Sequence, residues 1–597
     1  MRWATQVIRD GEEPEIEDDS GDSGARASRR RIPGPVVQGL IAFVIYLVVF
    51  TLGFGQALLP HLDVPKVGQT EVDPNFYIWA WRWWTYALTH GLNPLYSHQI
   101  GAPGGYNLAW ATTSPSTALL MWPVTALWGP IASFNLTLLL APPASAWAAF
   151  IVARRLTGRF WAALPAGVIF GFNVYELNHE VSGQANLTVT VMIPLTLYLV
   201  LLWWDGRLKR VGYVCWLAVA LALEFYTFVE AYTELTMLGV AALIIGFALA
   251  GKALRPKVLR LALLSAIGYV GGIILALPYL YFALKDIPNA LTRQLPQFSM
   301  DLASLVLPRT NRLLGMKWWA AAAGHDLNSN AYLGIPLVLL LVLFVYFGRK
   351  QRLTWLLLLT LLVVLCLAAG PNLIIDGQQA FGLPWGFIWS LPLLRSAEPA
   401  RLMDFAYLVL SVVLAVWLAE LTKSKLALAA RWGLAMLSLA AIFADLPTFA
   451  EVVIPPKPVH WTPAIPAGEH PPDALPTFFS DGLYKKYLTQ GETVVVLSHR
   501  GNAGMLFQAY TNFYFNIAGG FINASLSRPD ALPIQIAIIS HPTRERADEV
   551  RAYVKKDHIG ALIVERDYSE KWMYVFAKIG MKAVTTGGVT VFFTGVK

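Results

Sequence analysis

Apolar runs separated by short polar ties fill the first three quarters of the chain. They fall at 35–59, 131–152, 162–175, 186–204, 212–230, 234–250, 258–282, 331–347, 353–369, 402–420 and 429–447. A helix needs about 20 mostly apolar residues to cross a bilayer. The pattern therefore predicts a mainly α, polytopic transmembrane bundle of about 11–13 spans. Residues 115–128 are apolar too, but short and broken by prolines. Both a re-entrant segment and a further span stay open there.

The ties alternate in charge. With the N-terminus inside, the inner connections read "RRLTGR", "DGRLKR", "GKALRPKVLR", "GRKQR" and "TKSKLALAAR". The outer ones carry Asp73, Glu176, Glu180, Glu230, Asp286, Asp301, Asp326, Asp376 and Glu398. That asymmetry follows the positive-inside rule. It predicts a multi-pass plasma-membrane protein with a cytoplasmic N-terminus and, for an odd number of spans, an extracytoplasmic C-terminal part. The outer connections 60–114, 283–330 and 370–401 are long and rich in Trp, Pro and Gly. Long connections of such composition are more often functional than disordered.

The ends differ from the middle. Residues 1–34 lack an apolar pattern and read as a disordered cytoplasmic tail. Residues 35–450 form the transmembrane region, and 451–480 a proline-rich linker. Residues 481–597 read as a small extracytoplasmic α/β domain, with strands in "TVVVLSH", "GALIVER" and "VTVFFTG" and helices in "RADEVRAYVKK" and "SEKWMYVFAKI". It carries no phosphate loop, nucleophile elbow or metal-ligand spacing.

Composition agrees with a lipid solvent. Of 597 residues, 56% are hydrophobic and 14% charged, against about 25% charged in a soluble domain. The net charge of +8 is spread between apolar runs rather than gathered in a patch. It reads as topology, and no nucleic-acid partner is expected. Cys215 and Cys366 lie in separate apolar runs and form neither a disulfide framework nor a zinc site. The run 35–59 is too long for a signal-peptide core and reads as an uncleaved anchor.

Candidate chemistry concentrates after the first run, in "EVDPNFYIWAWRWWTYALTH". Asp73-Pro74 is a helix start, with Asp as cap and Pro at the first position. Phe76, Trp79 and Trp83 recur at helical spacing. Trp favours the bilayer boundary, so the segment predicts a helix lying flat on the outer surface. Capping alone would account for Asp73. Three features weigh for chemistry: Glu71 shares the same exit, "HGLNPLYSHQIGAPGGYNLAW" is polar and turn-rich, and Glu176, His179 and Glu180 reach the same face from the next outer connection. Glu224, inside the span 212–230, is an intramembrane acid and so a functional candidate.

With "EVD" just past the first span, long outer loops and a C-terminal soluble domain, the layout resembles the C-type (GT-C) integral-membrane glycosyltransferases. "FSMDLASLVLPRTN", "NSNAYLGIPLVLL" and "LPLLRSAEPAR" resemble a bacterial branch placed in that class by likeness alone. The resemblance covers residues 35–450 in layout. It implies transfer of a hexosyl or pentosyl group from a polyprenyl-phosphate donor to a glycan, glycolipid or protein acceptor of the cell envelope. Glu71 and Asp73 stand at the position of the family's acidic motif, which implies that Asp73 is the general base. "EVD" departs from a strict pair of aspartates, so use of Mg or Mn is open, with Glu71, Asp73 and His179 as candidate ligands. Glu176, His179 and Glu180 are further substrate-binding candidates, with Glu224 beside them. Arg309, Arg312, Arg395 and Arg401 are candidates for the phosphate, since a guanidinium forks onto such oxygens. Arg395 and Arg401 could instead pair with Glu398 or Asp404.

Two rivals remain. Glu224 suits a transporter or lipid-linked-sugar flippase, but the sequence has no internal repeat and its polar residues gather outside the spans. A non-catalytic envelope-assembly protein is the other.

Overall fold

The computed structural model describes residues 34–63, 72–285, 299–307, 331–388, 397–419, 426–444, 475–498, 502–520, 547–565, 575–576 and 578–596. All eleven apolar runs contain helix. In chain order the helices are α1 (Pro35–Gly53), α2 (Val72–Thr89), α3 (Pro115–Leu120), α4 (Trp122–Thr157), α5 (Phe160–Gly171), α6 (Val174–Val181), α7 (Ala185–Thr188), α8 (Met192–Trp204), α9 (Arg210–Thr227), α10 (Val229–Leu249), α11 (Arg255–Lys285), α12 (Ile335–Gly348), α13 (Arg352–Ala368), α14 (Met403–Leu418) and α15 (Leu428–Ala444). Among the described residues seven are long and apolar enough to cross a membrane: α1, α4, α7–α8, α9, α10, α11 and α14 with its leading turn. α5 and α6 form a bent pair at 45° that makes an eighth, and α12, α13 and α15 are shorter apolar helices. The protein is a multi-pass membrane protein. The 115–128 run becomes α3 and the first turns of α4, which breaks at Gly129.

Local chemistry sets the helix ends. Pro35 opens α1 at a position where its missing N–H costs nothing. Arg154 and Arg155 sit in the last turn of α4, against its negative end, before Gly158 at φ 70° stops it. α4 and α5 lie in close backbone contact because residue 171 has no side chain. A Cβ on Gly171 would stand 2.5 Å from both the Ala146 nitrogen and the Pro142 oxygen. Gly171→Ala must therefore push the two helices apart. Overpacking of this kind costs about 1–3 kcal/mol, to be read as a lowered unfolding temperature in detergent.

The C-terminal unit holds a mixed five-stranded sheet. Its strands are β5 (Thr493–Leu497), β6 (Asn516–Ile517), β7 (Ile559–Glu565), β8 (Lys582–Thr586) and β9 (Val589–Phe593), in spatial order β6-β5-β7-β9-β8. β5 pairs in parallel with β6 and β7, while β9 runs antiparallel to β7 and β8. The three predicted strands are β5, β7 and β9. Helices α16 (Ala503–Tyr510) and α17 (Ala547–Lys556) accompany the sheet. Two small hairpins, β1–β2 (Tyr96–Ser97 with Tyr106–Asn107) and β3–β4 (Asn372–Ile375 with Gln378–Gly382), punctuate the long connections. Residues 451–474 of the proline-rich stretch, and 569–574 of the last predicted helix, lie outside the described residues.

The α2 tryptophans, expected at the bilayer boundary, are packed against protein instead. Trp79, Trp81 and Trp83 are completely or almost completely buried inside the protein. Trp79 and Trp83 stack at 5.7 Å, and Phe513 meets both edge-on. The Trp79 indole N–H donates to Gln508 Oε1 at 2.7 Å, and Arg82 donates to Asn512 Oδ1 at 2.8 Å. Tryptophan spacing alone cannot tell a lipid boundary from a protein one, because both offer an apolar bed with a polar rim. The first long connection also extends the sheet. Ile517 N–H donates to the Gln99 carbonyl at 2.9 Å, and Ala102 N–H donates to the Ile517 carbonyl at 3.1 Å. The C-terminal unit thus lies directly over α2.

Candidate active site

Asp73 stands in the first turn of α2, half-buried. Among the described residues the helix runs from Val72, with Asp73 in its first turn. Its Oδ2 accepts a 2.9 Å hydrogen bond from the Gln184 side-chain amide. Gln184 Oε1 in turn accepts from His179 Nδ1 at 2.5 Å. An amide oxygen can only accept, which fixes the imidazole proton on Nδ1. The first and second outer connections therefore meet through one glutamine. A second tie joins the same segments: Tyr77 Oη donates to Asn186 Oδ1.

The sequence makes this meeting possible at Gly183. The residue has φ 68°, a left-handed conformation that glycine adopts without strain. A Cβ on it would stand 2.6 Å from Pro74 Cγ. The bare turn after α6 thus seats itself on Pro74 and delivers Gln184 to Asp73. Asn173 caps α6, its Oδ1 accepting from Glu176 N–H at 2.9 Å. The Glu176 carboxylate then takes the Thr190 hydroxyl, which also touches Ser145 at 3.0 Å.

Buried acids surround this junction. Glu176, Glu180, Glu224, Glu234, Glu398 and Asp404 are all nearly inaccessible. Both carboxylate oxygens of Glu180 and of Asp404 lack a hydrogen-bond partner among the described residues, as does one oxygen each of Glu176, Glu224 and Glu234. Asp404 acts electrostatically on Glu176, Glu224 and Glu234, so α6, α9, α10 and α14 share one acidic centre. Arg401 is its cation. One guanidinium nitrogen bonds Glu230 and the other bonds Glu398 at 2.9 Å. Unpaired acids amid apolar helices are costly and mark function.

The structure thus brings Asp73, Glu176, His179, Glu180, Glu224 and Arg401 into one region. Glu71, Arg309, Arg312 and Arg395 lie outside the described residues. Arg401, a candidate for the phosphate, is held by Glu230 and Glu398 instead. Sequence reasoning passed over Gln184, whose amide makes the junction, and Glu234, and took Asp404 only as an ion-pair partner. Glu234 and Asp404 were findable by the rule that singled out Glu224, since each sits in an otherwise apolar helix. Gln184 had no signal, because an amide in a turn is ordinary. Among the described residues no three His, Cys, Asp or Glu side chains are arranged to hold a metal ion. Asp73 and His179 meet through an amide, not face to face.

With this geometry in hand, comparison with known structures places the fold. The chain is similar to the arabinofuranosyltransferase AftD of mycobacteria, with a TM-score of 0.58 and 14% identity over 94% of this chain and 40% of that one. It is also similar to the archaeal oligosaccharyltransferase AglB of Archaeoglobus fulgidus, determined with an inhibitory peptide and a dolichol-phosphate. That match has a TM-score of 0.51 and 10% identity, and covers 93% of this chain and 74% of that one. The chain spans about 40% of the length of the AftD chain it matches. The fold is that of the C-type, polytopic membrane glycosyltransferases. Residues 43–445 match the family model described as Domain of unknown function (DUF6311), and the chain belongs to that family. None of the curated proteins matches it.

Proposed function

We propose that the protein is a membrane glycosyltransferase that moves a hexosyl or pentosyl group from a polyprenyl-phosphate donor to an envelope glycan, glycolipid or protein acceptor. The observation that carries the reading is the meeting of Asp73, Gln184 and His179 on a C-type fold. AglB, of the same fold, was determined with a dolichol-phosphate, which supports a lipid phosphate as donor here. The basic connections of "DGRLKR", "GKALRPKVLR" and "GRKQR" support a site on the extracytoplasmic side.

In this reading the Asp73 carboxylate takes the proton from an acceptor hydroxyl as that oxygen bonds to the anomeric carbon. The bond from that carbon to the phosphate oxygen breaks, and the lipid phosphate leaves with the electron pair. The carbon passes through an oxocarbenium-like state, and attack opposite the leaving phosphate inverts its configuration. Gln184 aims the carboxylate and His179 fixes Gln184. Arg309, Arg312 and Arg395 are the cations we assign to the phosphate. Glu71 stays a candidate partner of Asp73, and with it a divalent ion such as Mg or Mn, but no step above needs one.

The role of Gln184 is separable from folding. Gln184→Leu removes a hydrogen bond to a carboxylate, worth about 1.5 kcal/mol, so turnover falls about tenfold. Gln184→Asn, one carbon shorter, leaves the same gap. Single-turnover transfer from a lipid-linked sugar extract measures this. Unchanged turnover in Gln184→Leu would remove Gln184 from the site.

A further inference from the structure

A cavity of about 840 Å³ lies between α8, α9, α10, α11, α13 and α14. On α10 its wall runs from Leu235 to Ala250. At 1.5 Å per residue that is about 22 Å, a large part of the ~30 Å hydrocarbon core. The wall is apolar apart from a few hydroxyls and Arg352. Four of the six hydroxyls are bonded inside the protein: Tyr213 to Ser265 at 2.8 Å, Thr236 to the Tyr232 carbonyl at 2.8 Å, and Thr196 to the Met192 carbonyl at 2.8 Å; Tyr269 and Thr360 are the others. The polar groups are few and scattered along an otherwise apolar tube, and its walls suit hydrocarbon.

The two ends differ. One end touches Phe405 and Leu408 on α14, the helix whose first turn carries Asp404. The other ends at Trp204, Ala250, Leu254 and Arg352, where three basic connections gather. Together with the helix ends beside them they carry Lys209, Arg210, Lys252, Arg255, Lys257 and Lys350 besides Arg352. Topology explains cations in such loops, but not a guanidinium in the cavity wall. The Arg352 guanidinium passes close to the Gly251 backbone, where a Cβ would stand 2.9 Å from Nη1. Lys257 is likewise fixed at this mouth, its ammonium donating to the Trp204 carbonyl at 2.8 Å. A hydrocarbon tube with a cationic mouth is complementary to an anionic lipid.

We propose that this cavity binds an anionic glycerophospholipid from the leaflet on the side of the basic connections. An acyl chain lies along α10, and the headgroup phosphate meets Arg352 and its cationic neighbours. The site is separate from the Asp73 junction and does not depend on the proposed transfer. Its tail end supports α14 where that helix carries Asp404.

The test uses the full chain, extracted in mild detergent and stripped of lipid. Phosphatidylglycerol is then titrated against phosphatidylcholine by native mass spectrometry. Phosphatidylglycerol is expected to bind about one per chain and at least tenfold more tightly. Arg352→Gln combined with Lys252→Gln reduces that preference at least fivefold with the tube intact. Gly239→Phe keeps every cation but fills the tube. Gly239 lines the cavity and a Cβ there meets nothing within 4 Å; the variant is expected to keep the wild-type unfolding temperature in detergent and to lose the lipid. Equal binding of the two lipids by the wild type overturns the proposal. So does selective retention of a polyprenyl phosphate instead, or phosphatidylglycerol binding that neither variant changes.

Discussion

Asp73→Asn abolishes glycan transfer and leaves the protein folded in the membrane. A general base contributes about 100- to 10,000-fold to a rate, and an amide at this position accepts no proton. The rest of the site is preserved, since the oxygen of the new amide can still accept from the Gln184 side chain, as Asp73 Oδ2 does at 2.9 Å. Helix α2 loses an acid from its first turn, a change of about 0.3–1 kcal/mol. Activity and stability therefore separate: transfer from a lipid-linked sugar drops at least about 100-fold, while the unfolding temperature moves little. A variant that still elongates its glycan at the normal rate would make Asp73 a helix-end acid with no part in chemistry.

Arg401→Met has the opposite signature. Its guanidinium joins Glu230 on α10 to Glu398 ahead of α14, and all three side chains are largely withdrawn from solvent. Removing the cation strands two carboxylates among acids that already lack partners. Breaking a buried pair from one side costs about 3–5 kcal/mol, comparable with the whole stability of many domains, about 5–15 kcal/mol. The protein is expected to disappear from the membrane fraction. Arg401→Lys does not rescue it, since a single ammonium cannot reproduce two guanidinium nitrogens aimed at two carboxylates. Arg401→Met with Glu230→Gln and Glu398→Gln restores much of the level, because the stranded charges are gone. If Arg401→Met accumulates normally and loses transfer alone, Arg401 belongs to substrate binding.

Much of the transmembrane frame was legible in the sequence. Apolar length and the sign of the connecting loops are one-dimensional properties, and lipid enforces both. Each of the eleven runs contains helix for that reason. The count of full spans was harder to read, because α12, α13 and α15 are short and α5–α6 is bent, and neither property shows in hydropathy. The C-terminal sheet was legible through the β-branched runs of β5, β7 and β9. The short strand β6 was not, as two residues carry no pattern.

The site was legible in its acids and not in its connections. Asp73, Glu176, His179 and Glu180 announced themselves as polar residues at span exits. Their meeting depends on a left-handed glycine against Pro74 and on an amide placed between two side chains, and neither carries a periodic signal. The burial of the α2 tryptophans depends on Phe513 and Gln508, more than 400 positions away. No local window contains that contact.

If the proposed chemistry holds, Asp73 faces the reacting carbon of a lipid-linked sugar. A cryo-EM structure of the full chain with a non-transferable polyprenyl-phosphonate sugar tests it directly. The anomeric carbon is expected within one acceptor oxygen of the Asp73 carboxylate, with the phosphonate on the far side of the ring. A sugar bound away from α2, with Asp73 still held by Gln184 and facing nothing, would contradict it.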